Sequence, residues 1–426
     1  MSPETPAVVA QRPRSLWVNS AYVLLMSGKT TQIIGAGLAS FAVPLIAFAL
    51  TGSILAAGVV ATVGELGSLV ATLPSGVIAD RVDRRKLLII CSAVGLVLWA
   101  SLAVSAVMST LTVWQLGFVV FGSAIVGSFY APAESGGIQQ VVPSEQLGSA
   151  VAAMEGRSAV AALIAGPVGG VLYGIGRSWP IIASAVGYAV AGICTLFVRR
   201  PLNGDLAHTK TTTALDSLRE GFRFVRHVSF LKTGIVLFGM LNFGFGGLLY
   251  ALNLHLVATH EQPILIGVIN AVAGAVMVIG ALIAGPLVKR FRGGPLSIMG
   301  LTVALVGAIG LAVSTTYVEY LVWIAVATVL IPAVNSALLG YTVAVTPSAL
   351  QGRVNSVLSL SSVAVSPISP IVASALLVPL GVNATMAAFA VVLLLGVILI
   401  AANRSIRRIG KPDTWAADVV EWPRAV

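Results

Sequence analysis

The sequence predicts an all-α membrane protein of twelve spanning helices, arranged as two pseudo-symmetric six-helix bundles. Three observations carry this. The first is composition: 57% of the 426 residues are hydrophobic and 9% are charged, where ordinary soluble domains carry about 25% charge. With a mean hydropathy of +0.98 the chain is too apolar to be disordered. Its few charges cannot wet the surface of a 43.7 kDa globule, so a soluble enzyme, a nucleic-acid binder and a fibrous protein are excluded. The second is segmentation into apolar runs of about 20 residues or more, the length of a helical bilayer crossing. The roughly ten-residue alternating strands of a membrane barrel are absent. The third is that the basic residues gather on one side of the resulting arrangement.

Residues 1–17 form a polar tail with Arg12 and Arg14, and they lack the layout of a cleaved signal. Six apolar segments follow, near 18–48, 54–79, 86–108, 112–132, 147–174 and 179–198, the first N-terminal bundle being 18–198. The longest polar interval, 199–230, reads as a linker whose second part is a basic amphipathic helix with Arg219, Arg223 and Arg226. A second bundle, 231–403, holds segments near 231–258, 263–287, 296–315, 318–343, 353–379 and 383–403. Residues 404–426 are a second polar tail. With both termini cytoplasmic, 23 of the 25 basic residues face the inside; Arg177 falls outside and Lys29 within a span. Adding or losing one span would scramble this asymmetry, so the positive-inside rule predicts an even number in the inner (plasma) membrane. Orientation alone accounts for the net charge of +10, and no nucleic-acid partner is expected. Cys91 and Cys194 lie in apolar stretches and read as core residues.

The halves repeat. Gly76 to Arg81 follows the second span, and a similar Gly285-Pro-Leu-Val-Lys-Arg290 follows the eighth. Pro143-Ser144 with Gly148 follows the fourth, and Pro347-Ser348 with Gly352 the tenth. The common order and nearly constant offset predict a duplicated six-helix unit, an arrangement that secondary transporters build around a midplane cavity.

Residues 76–86 read GVIADRVDRRK. This resembles the loop signature G-x-x-x-D-R-x-G-R-R of the major facilitator superfamily, through Gly76, Asp80, Arg81, Arg84 and Arg85, with Asp83 in place of the second glycine. With Leu50-Thr51-Gly52-Ser53 and the stretch from Ala131 to Pro143, it looks like the branch of macrolide and enterobactin exporters. The resemblance implies that Asp80 latches the two halves on the inner side, with Arg353 at the start of span eleven as part of the latch. Gly76 is expected to let two helix ends approach closely; the bland alternative is a plain cluster of topogenic charge. Gly166-Pro167, followed by paired glycines one residue short of the pattern, resembles the span-five signature of facilitator antiporters. Pro367 and Pro370 are expected to kink span eleven, or these positions are static packing kinks.

Two ionisable residues read as deep in the apolar spans, Lys29 and Glu65. Counted from Leu16 and Ala79, both lie about 20 Å in at 1.5 Å per residue, so an ion pair is geometrically open to them. Buried charges of this kind commonly mark proton relays, which makes Glu65 and Lys29 proton-coupling candidates; a permanent structural pair is the alternative. Glu134, Glu155 and Arg157 read as a wetted loop edge or an inner gate. By family analogy spans one, four, seven and ten line the cavity, where the polar or aromatic candidates are Gln32, Tyr130, Asn242, Phe245, Tyr250, Asn253 and Asn335. Interhelical glue is the alternative reading for each Asn. No P-loop or zinc-ligand spacing occurs, so neither cofactor nor metal, and no enzymatic activity, is expected.

The reading that emerges is a monomeric secondary transporter, embedded in the lipid bilayer, that exports a lipophilic or amphipathic drug- or siderophore-like molecule by proton antiport. An importer or lysophospholipid flippase on the same fold is the alternative in kind, and a non-transporting membrane sensor the alternative in class.

Overall fold

The structure, a computed structural model, describes residues 15–203, 214–348 and 350–418. Parts of both expected tails (1–14 and 419–426) and of the linker (204–213) lie outside the described residues. The first half contains α1 (Ser20–Thr51), α2 (Ile54–Arg81), α3 (Arg84–Val107), α4 (Val113–Val141), α5 (Leu147–Ile175) and α6 (Trp179–Phe197). Side-chain caps start four of them: Asn19, Ser53, Asp83 and Thr112 each accept from a first-turn backbone N–H. Asp83 thereby acquires a reason of its own, since it accepts from the N–H groups of both Arg85 and Lys86. At the end of α1, Gly52 adopts φ 64°, the left-handed conformation that glycine takes without steric cost.

The linker helix α7 (Ala214–His227) leads into α8 (Ser229–Ala258), α9 (Pro263–Arg290), α10 (Gly293–Val313), α11 (Tyr317–Thr328), α12 (Ile331–Val345), α13 (Gln351–Val365) and α14 (Ile368–Ala402). Among the described residues, eleven helical runs are long and apolar enough to cross a membrane. The last, Gln351–Ala402, has 52 residues, about 78 Å of helix against a hydrocarbon core of about 30 Å. It is broken at Gly381, where φ is 74°. This run is therefore two crossings, and with α11 and α12 forming one span the total is twelve.

The two halves pack alike. In the first, α6 lies on α1 and α3, and α4 on α2. In the second, α14 lies on α8 and α10, and α12 on α9. Each half has its own hydrophobic core. Large apolar side chains such as Val97, Phe118, Leu282 and Ile398 point outward from different helices, a surface suited to lipid and not to water. The expected ends were least accurate at span four. Pro132 and the polar residues after it read as a loop, but α4 continues through Pro132 to Val141.

The end carrying the α2–α3 and α9–α10 turns, with Arg81 to Lys86 and Lys289 to Arg292, is here called the basic end. The halves meet elsewhere. Gly166 of α5 faces Gly267 of α9 so closely that a Cβ on Gly267 would lie 2.2 Å from the Gly166 carbonyl oxygen. Gly58 of α2 faces Ser374 and Pro370 of α14, and the Phe48 and His260 rings lie 5.9 Å apart. All of these lie between mid-depth and the end opposite the basic one. At the basic end, Ile406, Ile409 and Trp415 of the C-terminal segment are buried on the second half, and Gly410 and Ile409 carbonyls accept from the first N–H groups of α10.

Candidate functional site

Between the halves lies a cavity of about 500 Å³, walled by residues of α1 to α6, α8 and α9, with Trp99 the contribution of α3 and Tyr188 that of α6. Its polar lining includes Gln32, Ser40, Ser123, Tyr250, Asn253 and Asn270. Glu65 is the one carboxylate in that lining. Its two oxygens reach both parts of the second half: Tyr250 on α8 donates its hydroxyl at 3.4 Å, and Ser366 donates at 2.8 Å. Ser366 is delivered by the interruption of span eleven, for α13 ends at Val365 and α14 begins at Ile368, with Pro367 between and Pro370 inside the next turn. Asn253 and Asn270 exchange amide hydrogen bonds at 3.4 and 3.0 Å and tie α8 to α9 at the cavity wall. Asn270 and Ser366 escaped the sequence reading, which looked for lining residues in spans one, four, seven and ten.

Gln32, Tyr250 and Asn253 line the cavity as expected of them, whereas Tyr130, Asn242, Phe245 and Asn335 do not belong to the described lining. Tyr130 is buried inside the first half. Asn242 donates to the Phe238 carbonyl and to Ser362, and Phe245 packs on the core of the second half. Asn335 sits on α12, which packs on α9 and α10 away from the first half.

The Lys29–Glu65 pair is corrected. Lys29 is 7% exposed and places its ammonium 4.4 Å from the centre of the Tyr130 ring, a cation–π contact. The depths differ because the helix ends differ from those read off the sequence. Lys29 lies nine residues from the start of α1 and Glu65 sixteen from the end of α2, a mismatch of about 10 Å along the bundle. Lys29 points into the first half, over Tyr130, and Glu65 faces Tyr250 and Ser366 of the second.

The wetted-edge reading of Glu134 and Arg157 is also corrected. Arg157 on α5 grips Glu134 on α4 with both terminal nitrogens, at 2.7 and 3.4 Å, and the side chains are 7% and 3% exposed. The Arg157 guanidinium also touches the sulfur of Met26, one turn from Lys29 on α1. Glu155 stays exposed. The first half thus encloses two cations and one anion, joining α1, α4 and α5. Glu134 and Arg157 belong with Lys29 and Glu65 among the buried charges, and the basic side loses Arg157 from its count.

The loop signature is used within the first half. Arg84 donates to the Leu202 carbonyl at 3.3 Å and to Asp80 at 3.3 Å. Arg85 donates to the Leu196 carbonyl at 2.8 Å. Arg81 is exposed. Arg353 pairs with Glu220 of α7. The close-approach reading of Gly76 does not hold here: a Cβ on it would meet nothing within 4 Å. Gly166, by contrast, is at the tight α5–α9 contact, with Pro167 inside a continuous α5.

Two six-helix bundles around a shared midplane cavity are an architecture of secondary transporters. Residues 25–333 match the Major Facilitator Superfamily, and the chain belongs to that family. Macrolide efflux protein A of Streptococcus pyogenes is 24% identical over 206 residues, 48% of this chain and 51% of that protein. The protein of the same name from Enterococcus faecalis is 28% identical over 152 residues, 35% of this chain and 47% of that one. The uncharacterized MFS-type transporter YfiS of Bacillus subtilis (strain 168) is 27% identical over 272 residues, 61% and 63% of the two chains. The chain thus spans about half to three fifths of the length of these curated relatives. Among solved structures, a bacterial homolog of the human lysosomal transporter Spinster, inward-facing and unoccupied, superposes with a TM-score of 0.69 at 16% identity, covering 97% of this chain and 100% of that one. The nucleoside transporter NupG superposes with a TM-score of 0.68 at 12% identity, covering 91% and 99%.

Proposed function

We propose that the chain exports a lipophilic or amphipathic small molecule, drug- or siderophore-like, across the plasma membrane by proton antiport with alternating access. One observation carries the proposal. Glu65 lines the cavity at mid-depth and is held by hydroxyls of the opposite half, so its hydrogen bonds must break whenever the halves rock apart there. A carboxylate whose partners change between two conformations is placed to take a proton in one and release it in the other. The remaining lining is made of apolar, hydroxyl and amide groups, which suits a large weakly polar solute. The efflux names of the curated relatives favour the outward direction. We read the molecule as a monomer with both termini cytoplasmic, on the charge distribution. Asp80, with Arg353, serves in this proposal as the latch of the basic end. The buried Lys29 belongs to a structural cluster and not to the proton path. The test is accumulation of labelled drugs and siderophores in cells with and without the gene. Lower accumulation with the gene, abolished by a protonophore, is expected. Equal accumulation across the panel, or export indifferent to the protonophore, removes the proposal.

A further inference from the structure

The linker helix α7 sits at the start of α13. Gly221 packs on the α13 backbone, where a Cβ would lie 2.7 Å from the Arg353 carbonyl oxygen. One residue earlier, the Glu220 carboxylate takes the Arg353 guanidinium, with side chains 35% and 30% exposed. Asp80, on the other half, is 64% exposed and among the described residues pairs only with Arg84, four residues along its own chain.

The helices bearing these charges face each other. α2 meets span eleven at Gly58 against Ser374 and again at Glu65 with Ser366. Among the described residues no hydrogen bond or ion pair joins these helices past Glu65, and Gly76 looks onto open space. The register is informative. Glu65 to Asp80 is fifteen residues along α2, about 22 Å, and Ser366 back to Arg353 is thirteen, about 20 Å. Asp80 and Arg353 therefore stand at the same depth on the two arms of a V. Closing the V brings Asp80 to the Arg353 side chain and to the N-terminus of α13, whose free amides favour an anion. Glu220 already holds the Arg353 guanidinium.

We propose that Glu220 is a positioning residue that competes with Asp80 for Arg353. The guanidinium is held by the linker helix while the basic end is open and is handed to Asp80 when it closes. This rests on the reading of Asp80 as the latch. Both ion pairs are partly wet, so each contributes little net free energy and the exchange is close to balanced. Two such states are both populated, and a small bias moves the balance between them. The linker thereby sets the ratio of the two conformations without touching substrate.

The test places spin labels at Ser144→Cys and Ser348→Cys, exposed repeat-related positions at the basic end, one in each half, in protein lacking Cys91 and Cys194. Pulsed electron resonance in lipid nanodiscs then reads the short-to-long distance ratio. Glu220→Gln is expected to raise it about three- to tenfold, and Asp80→Asn to lower it. In the Asp80→Asn background Glu220→Gln should have no effect, which an anchoring role for the ion pair does not predict. An unchanged ratio in Glu220→Gln, or the same shift with and without Asp80, overturns the proposal. An unchanged ratio in Asp80→Asn alone overturns the latch itself. The distances need no substrate or proton gradient, so neither outcome depends on the export reading. Should Glu220→Gln fold poorly, Glu220→Asp gives the same comparison with a smaller shift in the same direction.

Discussion

Glu134→Gln removes one charge and almost no volume, and its cost can be worked from the geometry. The carboxylate holds Arg157 through two contacts at 2.7 and 3.4 Å, with side chains 7% and 3% exposed, while Lys29 lies 7% exposed over Tyr130 in the same bundle. Wild type encloses a formal excess of one positive charge; the variant encloses two. Breaking a buried pair by removing one partner costs about 3–5 kcal/mol, so the folded fraction should fall by about a hundredfold or more under marginal conditions. Replacing both partners by apolar side chains, Glu134→Leu with Arg157→Met, restores the excess to one and should recover most of the loss, because buried pairs contribute little against hydrophobic isosteres. Lys29→Met removes the excess and should leave stability equal or higher. The assay is thermal unfolding of the detergent-purified protein followed by fluorescence-detected gel filtration. A wild-type melting temperature for Glu134→Gln, or a double variant as unstable as the single one, would refute the reasoning.

Three further outcomes follow from the packing. Gly267→Val should preserve expression but abolish transport, because even a Cβ would lie 2.2 Å from the Gly166 carbonyl oxygen and the end opposite the basic one could not close; normal transport would show that this contact opens without cost. Trp415→Ala should lower the melting temperature by several degrees, since the ring is 7% exposed and its indole N–H donates to Gly410 at 3.0 Å, and truncating a buried Trp costs about 3–5 kcal/mol; an unaltered melting curve would mean the C-terminal segment is not part of the fold. Asp80→Asn should insert normally and slow turnover, read as initial export rate per molecule; a wild-type rate would leave Asp80 as topogenic charge only.

The twelve crossings and the duplication were legible because apolar length and charge asymmetry are local properties of the chain. The site was legible only in part. Glu65 stood out as an isolated acid in an apolar run, and Tyr250, Gln32 and Asn253 followed from span number. The Lys29–Glu65 pair, open to the sequence reading, does not form: depth was counted from approximate helix ends, and an error of a few residues moves a side chain by about 1.5 Å each. The sequence reads Glu134 as a wetted loop edge or an inner gate, and its burial escaped for a related reason. A helix lined by protein tolerates Pro132 and the polar residues after it, so the membrane-length rule ended span four too early. Ser366 looked unremarkable among the other serines of span eleven; only the meeting of α2 with the α13–α14 break sets it against Glu65.

In the proposed cycle Glu65 carries the coupled proton, and one measurement addresses this directly. Purified protein is reconstituted in liposomes with a pH gradient of one unit and an exported substrate from the panel, and the steady-state substrate gradient is read. With a single carboxylate in the cavity lining, one proton per cycle is available, and one pH unit is worth about 1.4 kcal/mol, or a tenfold gradient. Wild type should approach a tenfold gradient for a neutral substrate with the membrane potential clamped at zero. Glu65→Gln should exchange substrate across the membrane yet settle at a ratio of one. A tenfold gradient sustained by Glu65→Gln would contradict the account.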